Sequence, residues 1–210
     1  MLPVETITTG KWRENCYIVH DDAGTAIAID PGEGAAEIIA VIDARHLALA
    51  AIVNTHAHYD HIGSVSELRQ RYGAKFHLHS ADRRLLAQAN FYRTLFGGER
   101  SIAIPEIDVD LASSGKLQFG AMGIEIIPSP GHTPGGVSLR IDDMLFTGDN
   151  LLGKRIGRTD LPGGDAAALT ETIRTLFRLP SATVVYPGHG RRTSLAEIAE
   201  ANAEVAEILA

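Results

Sequence analysis

Short apolar runs alternate along this chain with segments in which apolar residues recur every three or four positions. Runs of the first kind, rich in β-branched side chains and bounded by Gly, Pro, Asn or Asp, are typical of strands. Segments of the second kind are typical of helices that press one face against a core. The pattern predicts strands at 4–8, 16–20, 25–30, 50–55, 74–79, 116–119, 123–127, 137–141, 144–146 and 183–186, and helices at 34–45, 62–72, 81–96, 165–178 and 194–209.

The segment 62–72 illustrates the helical pattern. Val65, Leu68 and Tyr72 recur at the spacing that places them on one face of a helix. Gly73 follows them, and glycine tolerates the left-handed conformation in which many helices end. The residues just before this segment are therefore predicted to lie at the N-terminus of a helix, close to the end of a strand.

The predicted strands form two β-rich halves, each accompanied by helical segments. Two mixed β-sheets that pack face to face between layers of helices form an αββα sandwich, which is an α/β fold. With 210 residues, 45% of them hydrophobic, the chain can bury a sizeable core. We predict one domain over residues 1–210, without a separate C-terminal substrate-binding domain.

Charge and composition narrow the class of protein. The formal net charge of −7 argues against a nucleic-acid partner, because binding to phosphates requires a basic surface. The first residues lack the features of an export signal, and no stretch is apolar enough to span a membrane. The single cysteine, Cys16, lies in an apolar run and is predicted to be a core thiol. We expect a cytoplasmic protein that does not bind a membrane. The sequence leaves open whether the protein forms a homo-oligomer.

The segment 55–63 carries most of the candidate chemistry. It reads Thr-His-Ala-His-Tyr-Asp-His-Ile-Gly and follows an apolar strand, so His56, His58, Asp60 and His61 share one short stretch of backbone. Imidazole and carboxylate groups suit zinc, iron or manganese, whereas calcium prefers oxygen ligands alone. The segment predicts a transition-metal site, and the alternative is a polar surface loop rich in histidine.

Three later segments each contain one further His or Asp next to Gly, and two of them also contain Pro. His132 lies in 129–135, Asp149 follows Thr-Gly, and His189 lies in Pro-Gly-His-Gly. Sharp turns at the ends of strands can bring such side chains into one cleft. Taken singly, each segment is better explained as an ordinary turn.

Taken together and in this order, the four segments resemble the metal-binding motifs of the metallo-β-lactamase superfamily over nearly the whole chain. The resemblance implies the αββα fold of that family, with two mixed β-sheets flanked by helices. It also implies two divalent metal ions, with zinc preferred and iron or manganese left open. One ion would be held by His56, His58 and His132, the second by Asp60, His61 and His189, and Asp149 would bridge them.

A metal pair of this kind points to hydrolysis. Two ions about 3.5 to 4 Å apart can hold a bridging hydroxide that attacks a carbonyl carbon while a metal stabilises the oxyanion. The catalytic carboxylates would be Asp60 and Asp149. The sequence shows no dedicated general acid. A thiolate, whose pKa is about 8.5, can leave without one, so a thioester fits better than an amide.

Within the superfamily, the chain looks most like the glyoxalase II-type hydroxyacylglutathione hydrolases. Its segment 157–160, Gly-Arg-Thr-Asp, stands where the longer enzymes have a Gly-Lys-aromatic segment that helps to bind glutathione. Lys154, Arg155 and Arg158 are therefore candidates for binding a small anionic thioester such as S-lactoylglutathione. Few residues follow His189, so we expect no helical domain to complete a glutathione site, and the thiol half of the substrate stays open.

Two supporting roles complete the predicted site. Asp30 ends a strand and could orient a ligand histidine from behind. The apolar stretch 91–96 could form a wall of a substrate cleft, although core packing is the preferred explanation.

Two other functions stay open. Persulfide dioxygenases resemble the chain in the same histidine segment and in a Gly-Arg-Thr-Asp segment, and they bind a single iron. By that resemblance, the iron ligands would be His56, His132 and Asp149. The third hypothesis is a regulatory protein that binds metal without turnover.

Overall fold

The computed structural model describes residues 2–98 and 101–210, in which two mixed six-stranded β-sheets pack face to face. The strands of the first sheet are adjacent in the order in which they occur in the chain. They are β1 (Val4–Thr9), β2 (Glu14–His20), β3 (Thr25–Ile29), β4 (Ala48–Val53), β5 (Lys75–Leu78) and β6 (Val109–Asp110). Strands β1 to β3 are antiparallel, and β3 to β6 are parallel.

The second sheet also keeps its strands in chain order. They are β7 (Lys116–Phe119), β8 (Met122–Pro128), β9 (Val137–Ile141), β10 (Met144–Gly148), β11 (Val184–Pro187) and β12 (Thr193–Ser194). Neighbouring strands are antiparallel except β10 and β11, which are parallel. Because parallel neighbours end at the same edge of a sheet, the residues that follow β10 and β11 lie close together.

The helices lie between and after the strands. They are α1 (Ala35–Ala44), α2 (Tyr59–Ile62), α3 (Val65–Tyr72), α4 (Arg83–Ala87), α5 (Ala89–Leu95), α6 (Ala166–Leu176), α7 (Leu195–Ala201) and α8 (Ala203–Leu209). Two single 3₁₀ turns, Ser80–Asp82 and Leu111–Ser113, precede α4 and β7. In the described part of the chain, no helix has both the length and the apolar character needed to cross a membrane.

Three apolar layers hold these elements together. Inward-facing side chains of both sheets, such as Ile29 of β3 and Phe146 of β10, form the central cluster. The alternate residues of the first sheet, such as Ala28, pack with α1 and α3 on its outer face. The outer face of the second sheet packs in the same way with α6, α7 and α8. Strands covered on both faces have continuous apolar sequences, which explains the apolar runs, and the predicted αββα sandwich is confirmed.

The prediction of one helix over 62–72 is wrong in one respect. Two helices, α2 and α3, occupy this region and are separated by Gly63 and Ser64. The backbone there bonds to the loop after β3, since the amide of Ser64 donates to the carbonyl of Pro31 (3.0 Å) and its hydroxyl to that of Gly32 (2.5 Å). The predicted end at Gly73 is confirmed, because this residue has a φ of 71° and closes α3.

Two other predicted helices are also divided. The segment 81–96 begins in a 3₁₀ turn and then forms α4 and α5, with a break at Gln88. The segment 194–209 breaks at Asn202, whose backbone is extended and whose side chain accepts from the amide of Val205 (3.1 Å) to cap α8. Strands β6 and β12 are two residues each, which is too short for a periodic pattern to reveal.

Candidate metal centre

The predicted metal ligands lie in segments that follow strands, and two of them, Asp60 and His61, belong to the short helix α2. The segment with His56 to His61 follows β4, whereas His132, Asp149 and His189 follow β8, β10 and β11. The two sheets meet here, because the amide of Val137 at the start of β9 donates to the carbonyl of Thr55 (2.9 Å). Loops at strand ends can present polar side chains to a shared cleft without disturbing the core.

The first group of ligands consists of His56, His58 and His132, whose nitrogen atoms lie within 4.8 Å of one another. Nδ1 of His58 and Nε2 of His132 are 3.0 Å apart. His56 is buried, and its Nε2 has no hydrogen-bond partner among the described residues. A buried nitrogen without a partner is costly unless a cation accepts its lone pair, so this group fits a metal ion.

The second group consists of Asp60, His61 and His189. Nε2 of His189 lies 3.3 Å from Nε2 of His61 and 3.5 Å from Oδ2 of Asp60. Nε2 of His61 lies 3.9 Å from the same carboxylate oxygen. One carboxylate and two imidazoles at these distances form a donor set that suits a divalent transition metal.

Asp149 lies between the two groups. Its Oδ2 is 3.7 Å from Nε2 of His132 in the first group and 3.4 Å from Nε2 of His189 in the second. Its Oδ1 is buried and has no hydrogen-bond donor in the part of the chain that the structure describes. A carboxylate that lies beside both groups can bridge two ions, so the residues present fit a pair of metal ions.

The ligand rings are oriented through their other nitrogen. A ring whose Nδ1–H donates to a neighbouring oxygen keeps Nε2 free to bind a metal. His56 Nδ1 is 3.0 Å from the hydroxyl of Thr55, His132 Nδ1 is 2.8 Å from the carbonyl of Arg158, and His189 Nδ1 is 3.0 Å from the carbonyl of Trp12.

Asp30 contacts residues of the ligand segment, Thr55 and His61, rather than the cleft. Its carboxylate accepts from the amide (2.7 Å) and the hydroxyl (2.6 Å) of Thr55, and it lies 3.3 Å from Nδ1 of His61. Asp30 also falls within ligand distance of His56 and His61. Because its oxygens already accept these hydrogen bonds, we assign Asp30 to orienting His61 rather than to a third metal position.

Burial and charge give four of the ligand histidines different protonation states. Burial lowers the pKa of His56 and lowers that of His58 to about 3, so both rings are neutral. Burial also opposes the charged forms of His61 and His189, but nearby carboxylates, Asp149 foremost, raise their pKa values to about 9 and about 11. Without metal, His61 and His189 therefore hold protons that His56 and His58 lack.

Metal affinity is expected to rise with pH between about 6 and 8. His61 and His189 are protonated below their raised pKa values, and a metal ion must displace these protons. Each displaced proton makes the affinity rise by about tenfold per pH unit. Zinc titration calorimetry in buffers of different ionisation enthalpy measures both the affinity and the protons released. A pH-independent affinity without proton release would contradict the protonated second group.

Asp82 is a supporting residue that no spacing in the sequence revealed. It is fully buried at the end of the 3₁₀ turn before α4. Its carboxylate accepts from the amides of Ala57 (3.0 Å) and Gly135 (2.6 Å) and from the hydroxyl of Thr133 (2.8 Å). Burial raises the pKa of Asp82 in spite of these three donors. One carboxylate thus ties the loop of His56 and His58 to the loop of His132.

Replacing Asp82 by Ala is expected to lower the free energy of unfolding by about 3 kcal/mol, because buried donors lose their charged acceptor. We also expect metal affinity to fall by about 10- to 100-fold, as for other residues that hold ligands in place. Thermal unfolding and zinc titration measure the two effects. Asp22→Ala, at an exposed position, is the matched control. Unchanged metal affinity in Asp82→Ala would show that the carboxylate does not position the ligands.

A cleft of about 380 Å³ opens over the centre. The cleft is lined by Tyr92 of α5 and by Phe96, the residue that follows this helix. In contrast, Phe91 and Leu95 of α5 are 64% and 63% exposed. The prediction that residues 91–96 pack in the core is therefore confirmed only in part, because some of these side chains line the cleft and others are exposed. The predicted metal ligands that line the cleft are His58, Asp60, His132, Asp149 and His189. Its apolar lining comprises Trp12, Tyr59, Leu85, Tyr92, Phe96, Leu152, Ile156, Leu161 and Pro162.

The predicted basic residues occupy different positions. Arg158 lines the cleft, but its guanidinium pairs in bidentate fashion with Asp160, at 2.7 Å for both contacts. Arg155 also lines the cleft and pairs with no carboxylate among the described residues. Lys154 is exposed and lies outside the lining. Arg155 is therefore the basic side chain of this set that is both in the cleft and unpaired.

Comparison with solved structures supports the fold and the metal centre. The crystal structure of BLEG-1 B3 metallo-beta-lactamase is 32% identical, with a TM-score of 0.91 over 97% of this chain and 99% of that protein. The di-iron-bound form of TTHA1623 is 34% identical, with a TM-score of 0.87 over 95% of this chain and 99% of that protein.

Sequence comparison leads to the same family. The hydroxyacylglutathione hydrolase GloC of Haemophilus influenzae is 31% identical, over 95% of this chain and 96% of the relative. The sequence profile of the metallo-beta-lactamase superfamily matches residues 9–189, which include every predicted ligand. With its two ligand groups at the ends of the strands of an αββα sandwich, the chain belongs to the metallo-β-lactamase superfamily.

Proposed function

We propose that the protein is a cytoplasmic, metal-dependent thioesterase that hydrolyses small anionic S-acyl thioesters such as S-lactoylglutathione. The observation that carries this proposal is the placement of Asp149 between two ligand groups at a cleft. None of the described residues that line the cleft is Ser, Thr or Cys. The nucleophile is therefore not a side chain of these types. The GloC relative supports the choice of a thioester.

Two divalent ions, zinc by preference, would supply a hydroxide at neutral pH and polarise the thioester carbonyl. Residues of this chain would hold the two ions and orient their ligands. Asp60 and Asp149 place two negative charges beside His189. Asp30 and Thr55 keep the ligand rings in position. The apolar walls limit the access of bulk water to the carbonyl.

The bond changes are those of hydrolysis. Addition of hydroxide to the carbonyl carbon, followed by cleavage of the carbon–sulfur bond, releases a carboxylic acid and a thiolate. Tyr59 lines the cleft, but burial raises its pKa to about 12, so its phenol is a weak proton donor. A thiolate, with a pKa of about 8.5, is stable enough to leave without a strong acid. This supports a thioester over an amide.

Metal analysis combined with a thiol-release assay tests the proposal. We expect the purified protein to bind about two ions per chain, one for each ligand group, and to release free thiol from S-lactoylglutathione without oxygen. Nitrocefin, a chromogenic β-lactam, serves as the competing substrate because of the BLEG-1 likeness. Fully metallated protein that releases no thiol would reject the proposal, and turnover of nitrocefin alone would indicate β-lactam hydrolysis instead.

An iron-dependent persulfide dioxygenase is the second candidate. The convergence of His56, His132 and Asp149 favours it, because these are the residues that would hold a single iron. The expected result for this function is one iron per chain and oxygen consumption with glutathione persulfide. A protein that binds metal and has neither activity would fit the regulatory hypothesis.

A further inference from the structure

Four aromatic side chains line the cleft and are called here the aromatic wall: Trp12, Tyr59, Tyr92 and Phe96. Nε1 of Trp12 donates to the hydroxyl of Tyr59 (2.5 Å). The rings of Tyr59 and Phe96 are stacked, with centroids 6.3 Å apart and an interplanar angle of 18°. These contacts join the turn between β1 and β2, helix α2 and the end of α5 into one surface.

The aromatic wall is tied directly to the metal centre. The carbonyl of Trp12 orients His189, and Tyr59 precedes the ligand Asp60. Nζ of Lys11, beside Trp12, donates to the carbonyl of Phe96 (3.1 Å). The wall thus adjoins the second ligand group, within reach of any substrate whose carbonyl lies over the centre.

The wall leaves apolar surface open to a ligand. The side chain of Trp12 is 48% exposed although it lines a concave cleft. Large aromatic surfaces at such a position favour a partner that can stack on them or bury them. A small, hydrated acyl group such as lactoyl would cover little of this surface.

Apart from the aromatic wall and the metal ligands, the lining is apolar except for two basic side chains, Arg155 and Arg158. Arg155 is an unpaired cation in the lining, whereas the charge of Arg158 is neutralised by Asp160. The carboxylates of a charged peptide thiol would lose hydration against the rings of Tyr92 and Phe96. Lys11, the cation beside Phe96, already donates to a backbone carbonyl and lies outside the cleft lining. The carboxylates would gain a partner at Arg155. The charged thiol half of the substrate is therefore expected to bind away from the aromatic wall. The acyl half is then the part of the substrate that contacts the wall.

The geometry points to a thioester with an aromatic acyl group as the preferred substrate, its ring against the aromatic wall and its anionic thiol half toward Arg155. This inference rests on the proposed thioesterase function and narrows its substrate class. The cleft volume of about 380 Å³ lies within the range of small-molecule sites and accommodates a phenyl-bearing acyl group.

Two glutathione thioesters that differ in one group test the preference. S-mandeloylglutathione carries a phenyl group where S-lactoylglutathione carries a methyl group. We expect kcat/KM to be higher for the mandeloyl thioester by about tenfold or more, since even single methylenes in an apolar pocket are discriminated. Phe96→Ala is expected to remove most of this ratio. Leu95→Ala, an exposed neighbour outside the cleft lining, is the matched control and is expected to preserve it.

A binding measurement tests the aromatic wall without turnover. Trp12 is the single tryptophan of the chain, so intrinsic tryptophan fluorescence reports on this wall alone. S-benzylglutathione and S-methylglutathione are thioethers and are not hydrolysed. We expect saturable fluorescence changes, with S-benzylglutathione bound about tenfold more tightly. Arg155→Ala is expected to weaken both thioethers by the same factor, and Arg155→Lys, which keeps the charge, to restore part of the affinity.

The results separate this inference from the proposed function. If neither thioester is hydrolysed but S-benzylglutathione binds more tightly and loses this advantage in Phe96→Ala, the thioesterase proposal fails and the aromatic subsite is supported. If S-lactoylglutathione is hydrolysed as efficiently as the mandeloyl thioester and the two thioethers bind equally, the thioesterase stands and the aromatic preference is overturned.

Discussion

Asp149→Asn is expected to lower thioester hydrolysis by about a thousandfold and to leave fewer bound metal ions per chain. The carboxylate lies 3.7 Å from His132 in the first ligand group and 3.4 Å from His189 in the second. An amide of the same size lacks the negative charge and has only one oxygen to offer. A metal ion that polarises the substrate contributes several kcal/mol of charge stabilisation in the transition state, and about 4 kcal/mol corresponds to a thousandfold in rate.

The matched control for this substitution is Asp143→Asn. Asp143 precedes β10, whereas Asp149 follows it, and the side chain of Asp143 is exposed. We expect its metal content, activity and unfolding temperature to equal those of the unaltered protein. Metal analysis and steady-state kinetics on both variants provide the comparison. Full metal content and near-normal activity in Asp149→Asn would refute the bridging role.

Gly188→Ala is expected to lower activity by about a hundredfold or more, although Gly188 is not itself a ligand. A Cβ atom at this position would lie 2.2 Å from Oδ1 of Asp149 and 2.8 Å from Cε1 of His61. Real Cβ atoms do not approach other atoms so closely, and the backbone carbon of Gly148 is 3.0 Å away on another side. The carboxylate and the ring must therefore shift, and displacement of a catalytic group by about 1 Å can cost a hundredfold in rate.

Gly115→Ala is the control for the change from Gly to Ala. No atom lies within 4 Å of the added Cβ there, and the backbone does not have a positive φ. Zinc titration and kinetics on the two variants, with thermal unfolding, distinguish a local effect on the centre from a general loss of stability. Normal metal binding in a folded Gly188→Ala variant would show that the loop after β11 can relax around the extra methyl group.

Much of the metal centre could be predicted from the sequence because several of its predicted ligands are close together in the chain. His56, His58, Asp60 and His61 are separated by at most five positions, so any backbone that connects them keeps them near one another. The later ligands His132, Asp149 and His189 were identified through resemblance, since a single histidine between glycines indicates little by itself. The structure brings all of them to the same end of the sandwich.

The divisions within the predicted helices could not be read from periodicity. Asn202 interrupts 194–209 because its side chain caps α8 and donates to the carbonyl of Gly153 (2.9 Å), a residue far away in the sequence. Ser64 interrupts 62–72 through hydrogen bonds to the loop after β3. In both segments the apolar spacing continues across the break, so the hydrophobic pattern alone shows one helix.

The sequence by itself determined the strand and helix pattern, the layered α/β architecture and the chemical types of the ligands, because hydrophobic spacing, turn residues and clustered imidazoles are properties of short segments. Only the tertiary structure decided what surrounds the centre. Asp82 joins loops that are distant in the chain, and the aromatic wall brings Trp12 against Tyr59 and Phe96. Such contacts depend on how the sheets and helices pack together. Metal chemistry could therefore be inferred from the sequence, whereas the shape that selects a substrate became visible in the folded chain.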